Sequence, residues 1–375
     1  MSGVAAPADG RQVVIDDLRS ITARLESEFR EMAGNSLLLV GGGGFLGYYL
    51  VQSIGAWNEQ NPDRRVFMTV YDSCIRGEPE WLRRYETTDW LKIETVDITE
   101  PLPVDTPGFD WIIHAASIAS PTFYREHPIE TMDANVNGLR NLLEHARAKA
   151  EAGSPVKGFL FFSTSEIYGD PTPDAIPTPE TYRGHVSCTG PRACYDESKR
   201  YGETLSVNFA RVHGLPVKIA RPFNNYGPGL KIGDGRVIPD FARDILAGQD
   251  IVMHSSGDPT RTFCYIADAV VGYYKILVNG RSAEPYNIGT DSPEISIADL
   301  AHRMATLAQT ELGYEGQVIQ RPSEDAEYLV DNPNRRCPDI TKAREELGYE
   351  PEVSIDDGLR RSLLWYRDQE TAEVT

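Results

Sequence analysis

Tyr195 and Lys199 lie four residues apart in the stretch ACYDESK (193–199). On a helix, residues four apart share a face, so the ammonium of Lys199 would lower the phenol's pKa and let Tyr195 act as a base near neutrality. The same spacing is also common as an ordinary surface pair. Upstream, FFSTSEIYGDP (161–171) sets Ser163, Thr164, Ser165 and Glu166 just behind an apolar run, where ligands gather beyond strand C-termini in α/β sheets. Hydroxyls and a carboxylate near a potential base favour catalysis over the surface pair, provided that a nucleotide fold carries them.

Such a fold is signalled by LLLVGGGGFLG (37–47). A backbone that must approach a pyrophosphate closely cannot carry side chains at the contact, and glycine removes them. Leu37 to Val40 reads as a buried strand and Tyr48 to Ile54 as the body of a helix, so the glycines fall where a helix N-terminus would meet an anion. Two spacings are legible: Gly42, Gly44 and Gly47, or Gly41, Gly44 and Gly47 with one extra residue in the turn. The next strand, Arg65 to Tyr71, ends at Asp72, where a carboxylate suits a ribose 2′-hydroxyl and repels a 2′-phosphate. That favours NAD over NADP, although Arg76 follows closely.

The elements that must position these residues come from the rest of the chain. With 375 residues, 41% of them apolar and 25% charged, it can form one large or two smaller soluble domains. No apolar run reaches the ~20 residues that span a bilayer, and the N-terminus lacks a signal pattern, so a cytoplasmic location is expected and no membrane partner. Five cysteines without any C-x-x-C suggest neither a disulfide framework nor zinc, and the seven histidines show no ligand spacing, so no metal is expected. A net charge of −19 argues against nucleic acid and requires any phosphate site to be built locally.

Strand-like runs alternate with helical patterns: Trp111 to His114 then Val136 to Ala148, Phe159 to Ser163 then Glu197 to His213, then Val217 to Ala220. That rhythm predicts an α/β fold, a Rossmann doubly wound parallel sheet. Beyond Arg221 glycine and proline become frequent and the elements shorter, predicting a smaller α/β substrate-binding lobe; Ser296 with Asp299 forms a capping box there, and Leu347-Gly348 ends another helix. The expected organisation is an N-terminal helical extension at 1–35, an NAD-binding domain at 36–220 with about 262–283, and the second lobe at 221–261 and 284–370. Ile15, Leu18, Ile21, Leu25 and Phe29 recur at helical spacing in the extension, as a packing or oligomer-contact helix would have them.

Over residues 36 to 368 the chain resembles an extended short-chain dehydrogenase/reductase of the nucleotide-sugar branch, on GGGGFLG, the strand end at Asp72, VDIT (96–99), HAAS (114–117), STSEIYGDP, YDESK and RPFNNYGPG (221–229). Within that branch it is similar to UDP-glucuronate decarboxylases, also called UDP-xylose synthases. The pieces closest to them are ASP (119–121), GHVSCTGPRACYDESKR (184–200), DGRVIPDF (234–241), TRTFCYIAD (260–268) and RRCPDI (335–340). The chain departs from that pattern at Ser187-Cys188-Thr189, where N-P-I is usual, and at Gly229, where Arg is usual.

The resemblance implies NAD as cofactor, held by Gly41, Gly44, Phe45, Leu46, Gly47, Asp72, Asp97, Ile98, Ala115, Ala116, Tyr195, Lys199 and Pro222. It implies a nucleotide-sugar substrate met by Ser120, Asn224, Arg236 and Arg261, and a homodimer. In the implied reaction Tyr195 takes the C4 hydroxyl proton while Thr164 or Ser165 holds the same oxygen. The 4-ketone lets the C6 carboxylate leave as carbon dioxide, with Glu166 and Arg336 set near C5 and the carboxylate. Two other readings stay open: a 4,6-dehydratase or 4-epimerase of nucleotide hexoses, and an idle NAD-binding scaffold.

Overall fold

The computed structural model describes residues 7–323, 327 and 330–373. Seven parallel strands form one sheet: β1 (Ser36–Val40), β2 (Phe67–Asp72), β3 (Leu91–Thr95), β4 (Trp111–His114), β5 (Gly158–Phe162), β6 (Val217–Pro222) and β7 (Pro285–Ile288). Their spatial order is β7-β6-β5-β4-β1-β2-β3. Because β1 pairs with both β2 and β4, the winding reverses between β1 and β4 and leaves a crevice outside their C-terminal ends.

Alternation within the strands divides the core. Leu37, Leu39, Ile113 and Leu160 face one layer, and Leu38, Val40, Ile112, Phe159 and Phe161 the other. Both faces are covered, which is why β4 and β5 are buried along their whole length. The first layer includes α3 (Phe45–Gln60) and α6 (Ile266–Asn279); the second includes α4 (Leu139–Glu151) and α5 (Ala193–His213). Arg221 at the end of β6 pins α5 to the sheet through a two-pronged pair with Glu203, Nε to Oε1 at 2.8 Å and Nη2 to Oε2 at 2.6 Å. That fixes the helix that carries Tyr195 and Lys199.

The N-terminal segment forms two helices, α1 (Gly10–Arg24) and α2 (Glu26–Met32). Ile21, Leu25 and Phe29 are fully buried in the same apolar cluster as α3 and α6, whereas Ile15 stays exposed. The segment is therefore part of the large core rather than a separate unit. The sheet likewise takes Pro285–Ile288 as its edge strand, so the division at 284 falls too early. The other edge strand, Leu91–Thr95, has no continuous apolar run; its signal is the alternation of Leu91 and Ile93 with charged Lys92 and Glu94.

Residues beyond β6 build the second lobe from short strands. Thr260–Arg261 pairs with Ile295–Ser296 and Arg335–Arg336, and Ile251–Met253 with Val318–Gln320. The capping box at Ser296 and Asp299 opens the helix Ile297–Leu312, and the last long helix, α7 (Ile355–Glu373), packs against α1.

Candidate active site

The glycine turn sits between β1 and α3. Gly41 has a φ of +85°, and a Cβ there would lie 2.5 Å from the backbone N of Ala116, so the turn presses on the chain leaving β4. At Gly47 a Cβ would come within 2.0 Å of the Gly42 carbonyl oxygen, so side chains are barred on the helix side as well. Gly44 caps α3, and it lines the crevice together with Phe45 and Leu46 of the first turn. The spacing Gly41, Gly44, Gly47 thus accounts for the turn, while Gly42 backs onto Val70.

Asp72 ends β2 beside this turn and accepts from Gly43 N at 2.8 Å and Cys74 N at 2.9 Å. Each carboxylate oxygen keeps a lone pair for a hydroxyl donor. Arg76 is engaged elsewhere: its guanidinium lies 4.5 Å from the Phe123 ring and 3.7 Å from Asp234 Oδ1. A cleft of about 360 Å³ opens from the turn, lined by Gly41, Gly44, Phe45, Leu46, Ala115, Ser117, Ser163, Tyr195, Lys199 and Pro222 on this side. Ser117 Oγ and Ser163 Oγ are buried there without a partner among the described residues. Closely pressed glycines, free helix-terminal amides and orphaned hydroxyls fit a dinucleotide. Asp97 and Ile98 lie outside the lining: Asp97 is exposed and bonded to Thr99, and Ile98 is buried against Gly138.

Tyr195 and Lys199 do share a face of α5, with Lys199 Nζ 5.7 Å from the Tyr195 ring, and Thr164 stands beside the phenol at the edge of the cleft. The expected lowering of the phenol's pKa is not found. Burial pushes Tyr195 up to about 12, against the opposing effects of Thr164 and Arg236. Burial also brings Lys199 down to about 7, and its Nζ donates to the Phe162 carbonyl at 2.8 Å. The geometry of a base and its cation is present, but burial outweighs it.

An ionic cluster stands next to Tyr195. Arg336 donates Nη1 and Nη2 to the two oxygens of Glu166 at 2.6 and 2.5 Å, and Arg192 forms an ion pair with Glu166, Nη2 to Oε2 at 2.6 Å. Burial alone would raise the Glu166 pKa; the two guanidiniums outweigh it and hold the carboxyl at about 2. Asp196, behind Arg192, is pushed the other way, to about 8, by burial and then by the Glu166 charge. Tyr124 stacks on Tyr195, ring centroids 5.1 Å apart and planes 9° from parallel. Arg192, Asp196 and Tyr124 were not singled out in the sequence, although Arg192 lies in the GPRACYDESK run, three residues before Tyr195. An arginine at a helix start reads as a surface charge, and only the fold turns it inward.

On the sugar side, Asn224 and Arg236 line the cleft, and Arg261 lines it while its guanidinium donates to the carbonyls of Thr260, Pro333 and Asn334. Burial and the nearby Arg336 charge lower the Arg261 pKa to about 9. Arg236 reaches the Ala119 carbonyl at 3.2 Å and Asp234 at 3.0 Å. Ser120 does not face the cleft. It is buried and donates to the Asp234 carbonyl at 2.6 Å, so its hydroxyl holds the loop that bears Arg236. Ser165 is 3% exposed and, like Thr164, borders the cleft. Of the acidic residues near Arg336 in sequence, Glu324 and Asp325 lie outside the described residues.

Residues 37–289 match the NAD dependent epimerase/dehydratase family. The chain is 37% identical over 323 residues to a UDP-glucuronic acid decarboxylase of Arabidopsis thaliana, covering 86% of each chain. It is 34% identical over 333 residues to one of Xenopus tropicalis, covering 89% of this chain and 72% of that one. Among solved structures it resembles a dTDP-glucose 4,6-dehydratase of Streptomyces venezuelae with NAD bound, at a TM-score of 0.75 and 27% identity over 90% of this chain and 98% of that one. The glycine turn, the strand order and these similarities agree: the chain belongs to the NAD-dependent epimerase/dehydratase family.

Proposed function

We propose that this protein decarboxylates UDP-glucuronate through a 4-keto intermediate, with NAD as cofactor, giving UDP-xylose or UDP-4-keto-pentose. The observation that carries this reading is a cationic cluster beside Tyr195 and Thr164 in the cleft of a chain 37% identical to a UDP-glucuronic acid decarboxylase. Bound NAD would take the C4 hydride, return it after carbon dioxide has left, and favour the phenolate through its positive charge. Tyr195 accepts the proton of the C4 hydroxyl, and Lys199 beneath it holds the helix face in place. As the C5–C6 bond breaks, its electrons pass to the C4 oxygen, where Tyr195 and Thr164 are the waiting donors. C5 then gains a proton from water, and Glu166, ionised between Arg192 and Arg336, orients the sugar for that step. Asn224, Arg236 and Arg261 meet the nucleotide diphosphate. Ser165 favours decarboxylation over 4,6-dehydration, because it offers no carboxyl to protonate a leaving C6 hydroxyl.

The protein works as a homodimer in this reading. Ile129 and Met132 on the helix Pro128–Asp133 and Tyr201 on α5, which that helix contacts, are exposed, and this supports a helix-pairing face there. Five unpaired cysteines suit a reducing cytoplasm, and among the described residues no helix is long and apolar enough to cross a membrane.

Incubation with UDP-glucuronate, UDP-glucose and dTDP-glucose, followed by mass analysis of the products, tests the reaction. Carbon dioxide should be lost from UDP-glucuronate alone. Dehydration of a neutral hexose would overturn the reading in favour of a dehydratase, and no turnover of any sugar would leave an idle scaffold.

A further inference from the structure

The sugar carboxylate of the proposed substrate needs a cation, since the chain as a whole carries −19 and an unpaired buried anion is costly. Sequence resemblance points to Arg336 for this task. In the structure both terminal nitrogens of Arg336 already form a closed fork on Glu166, at 2.6 and 2.5 Å. Arg192 is different. It lines the cleft, gives Glu166 a single nitrogen, and its Nε is buried without a hydrogen-bond partner, 3.9 Å from the nearest Asp196 oxygen.

The neighbours of Arg192 point the same way. Its guanidinium lies 5.9 Å from the Tyr124 ring, and that ring stacks on Tyr195. The Tyr124 hydroxyl is also buried without a partner. Two guanidiniums face one ionised carboxylate, and Asp196, raised to about 8, does not cancel the second at neutral pH. The cluster therefore holds one positive charge and two unused donors beside Tyr195.

We propose that Arg192, with the Tyr124 hydroxyl beside it, binds the C6 carboxylate of the sugar, while Arg336 acts as a positioning residue that fixes Glu166. This assignment rests on the decarboxylase reading. Arg192 holds charge that is present in the ground state and dispersed as carbon dioxide leaves, so its contribution falls on substrate binding rather than on the bond-breaking step.

The test uses the NAD-loaded protein and its Arg192→Gln, Arg192→Lys and Tyr124→Phe variants. KM and kcat are measured for UDP-glucuronate, and affinity for UDP-xylose, which lacks the carboxylate, by calorimetry. Arg192→Gln should raise KM for UDP-glucuronate roughly thirtyfold, as loss of a charged hydrogen bond does, with UDP-xylose affinity unchanged. Arg192→Lys should recover part of the loss, and Tyr124→Phe, which keeps the stack, should raise KM about fivefold. Equal weakening of both ligands, or no weakening of either, would overturn the assignment. Should Arg192→Gln fail to fold, the lysine and phenylalanine variants decide by the same criterion. A wild-type protein that binds UDP-xylose yet leaves UDP-glucuronate intact would instead overturn the decarboxylase reading.

Discussion

Two buried carboxylates, Asp17 on α1 and Glu166 beyond β5, are surrounded by the same residue types, tyrosine and arginine, and end up in opposite conditions. Asp17 on α1 accepts from Tyr49 at 2.5 Å, from Tyr265 at 2.6 Å and from Arg361 at 2.6 Å, and Arg361 turns its remaining nitrogens to Asp357. None of these side chains has a buried atom without a partner. Glu166 is held by Arg192 and Arg336, but there Arg192 Nε, Asp196 Oδ1 and the Tyr124 hydroxyl are left over. A cluster that closes its own hydrogen bonds fixes helices; one that leaves donors open toward a cleft is arranged for something else to complete it.

Removing one hydroxyl from each region separates the two roles most sharply. Tyr195→Phe should lower kcat by about a thousandfold, within the range for a general base, with NAD affinity and melting temperature near wild type. Retained turnover would end the assignment of Tyr195 as the base. Asp17→Asn should leave kcat/KM unchanged but cost about 2 kcal/mol of stability in urea unfolding, because both carboxyl oxygens accept hydrogen bonds and the new amide NH2 would face either Arg361 or the two phenols, donor against donor. Tyr49→Phe, which removes only one of three donors to Asp17, should cost about 1 kcal/mol, again with activity intact. Lower activity at full stability in either variant would break the division of labour between the clusters.

What was legible in the sequence follows the same line. The glycine turn, the strand ending at Asp72, the sheet rhythm and the Tyr195–Lys199 spacing are local patterns, and each stands where the periodicity placed it. Arg192 and Tyr124 were not legible, because their meaning depends on contacts with Glu166 and Tyr195 that only the fold creates. The direction of the Tyr195 pKa was misjudged for a related reason. Spacing along a helix reports that an ammonium is near a phenol, not that burial exceeds its effect. The N-terminal segment shows the converse: its apolar period was plain, but not the Asp17 network that fastens it to α3 and α7.

The pH dependence of stability gives the most discriminating contrast. Asp17 is raised from its ordinary 3.8 to about 6, chiefly by burial, which outweighs the bonds from Tyr265, Tyr49 and Arg361. Folding then favours its protonated form, so the stabilisation from this group is complete below 3.8 and is lost as pH rises through about 6. Glu166 is lowered from 4.5 to about 2, so its stabilisation is present above 4.5 and is lost as pH falls through about 2. The stability gap between wild type and Asp17→Asn should therefore narrow by about 2 kcal/mol between pH 4 and pH 6. The gap for Glu166→Gln should instead widen between pH 2.5 and pH 4.5. Urea unfolding of the three proteins across that range measures both slopes. Slopes of the same sign would mean that the arginines do not overcome burial at Glu166, and the distinction between a closed cluster and a charged, open one would fail.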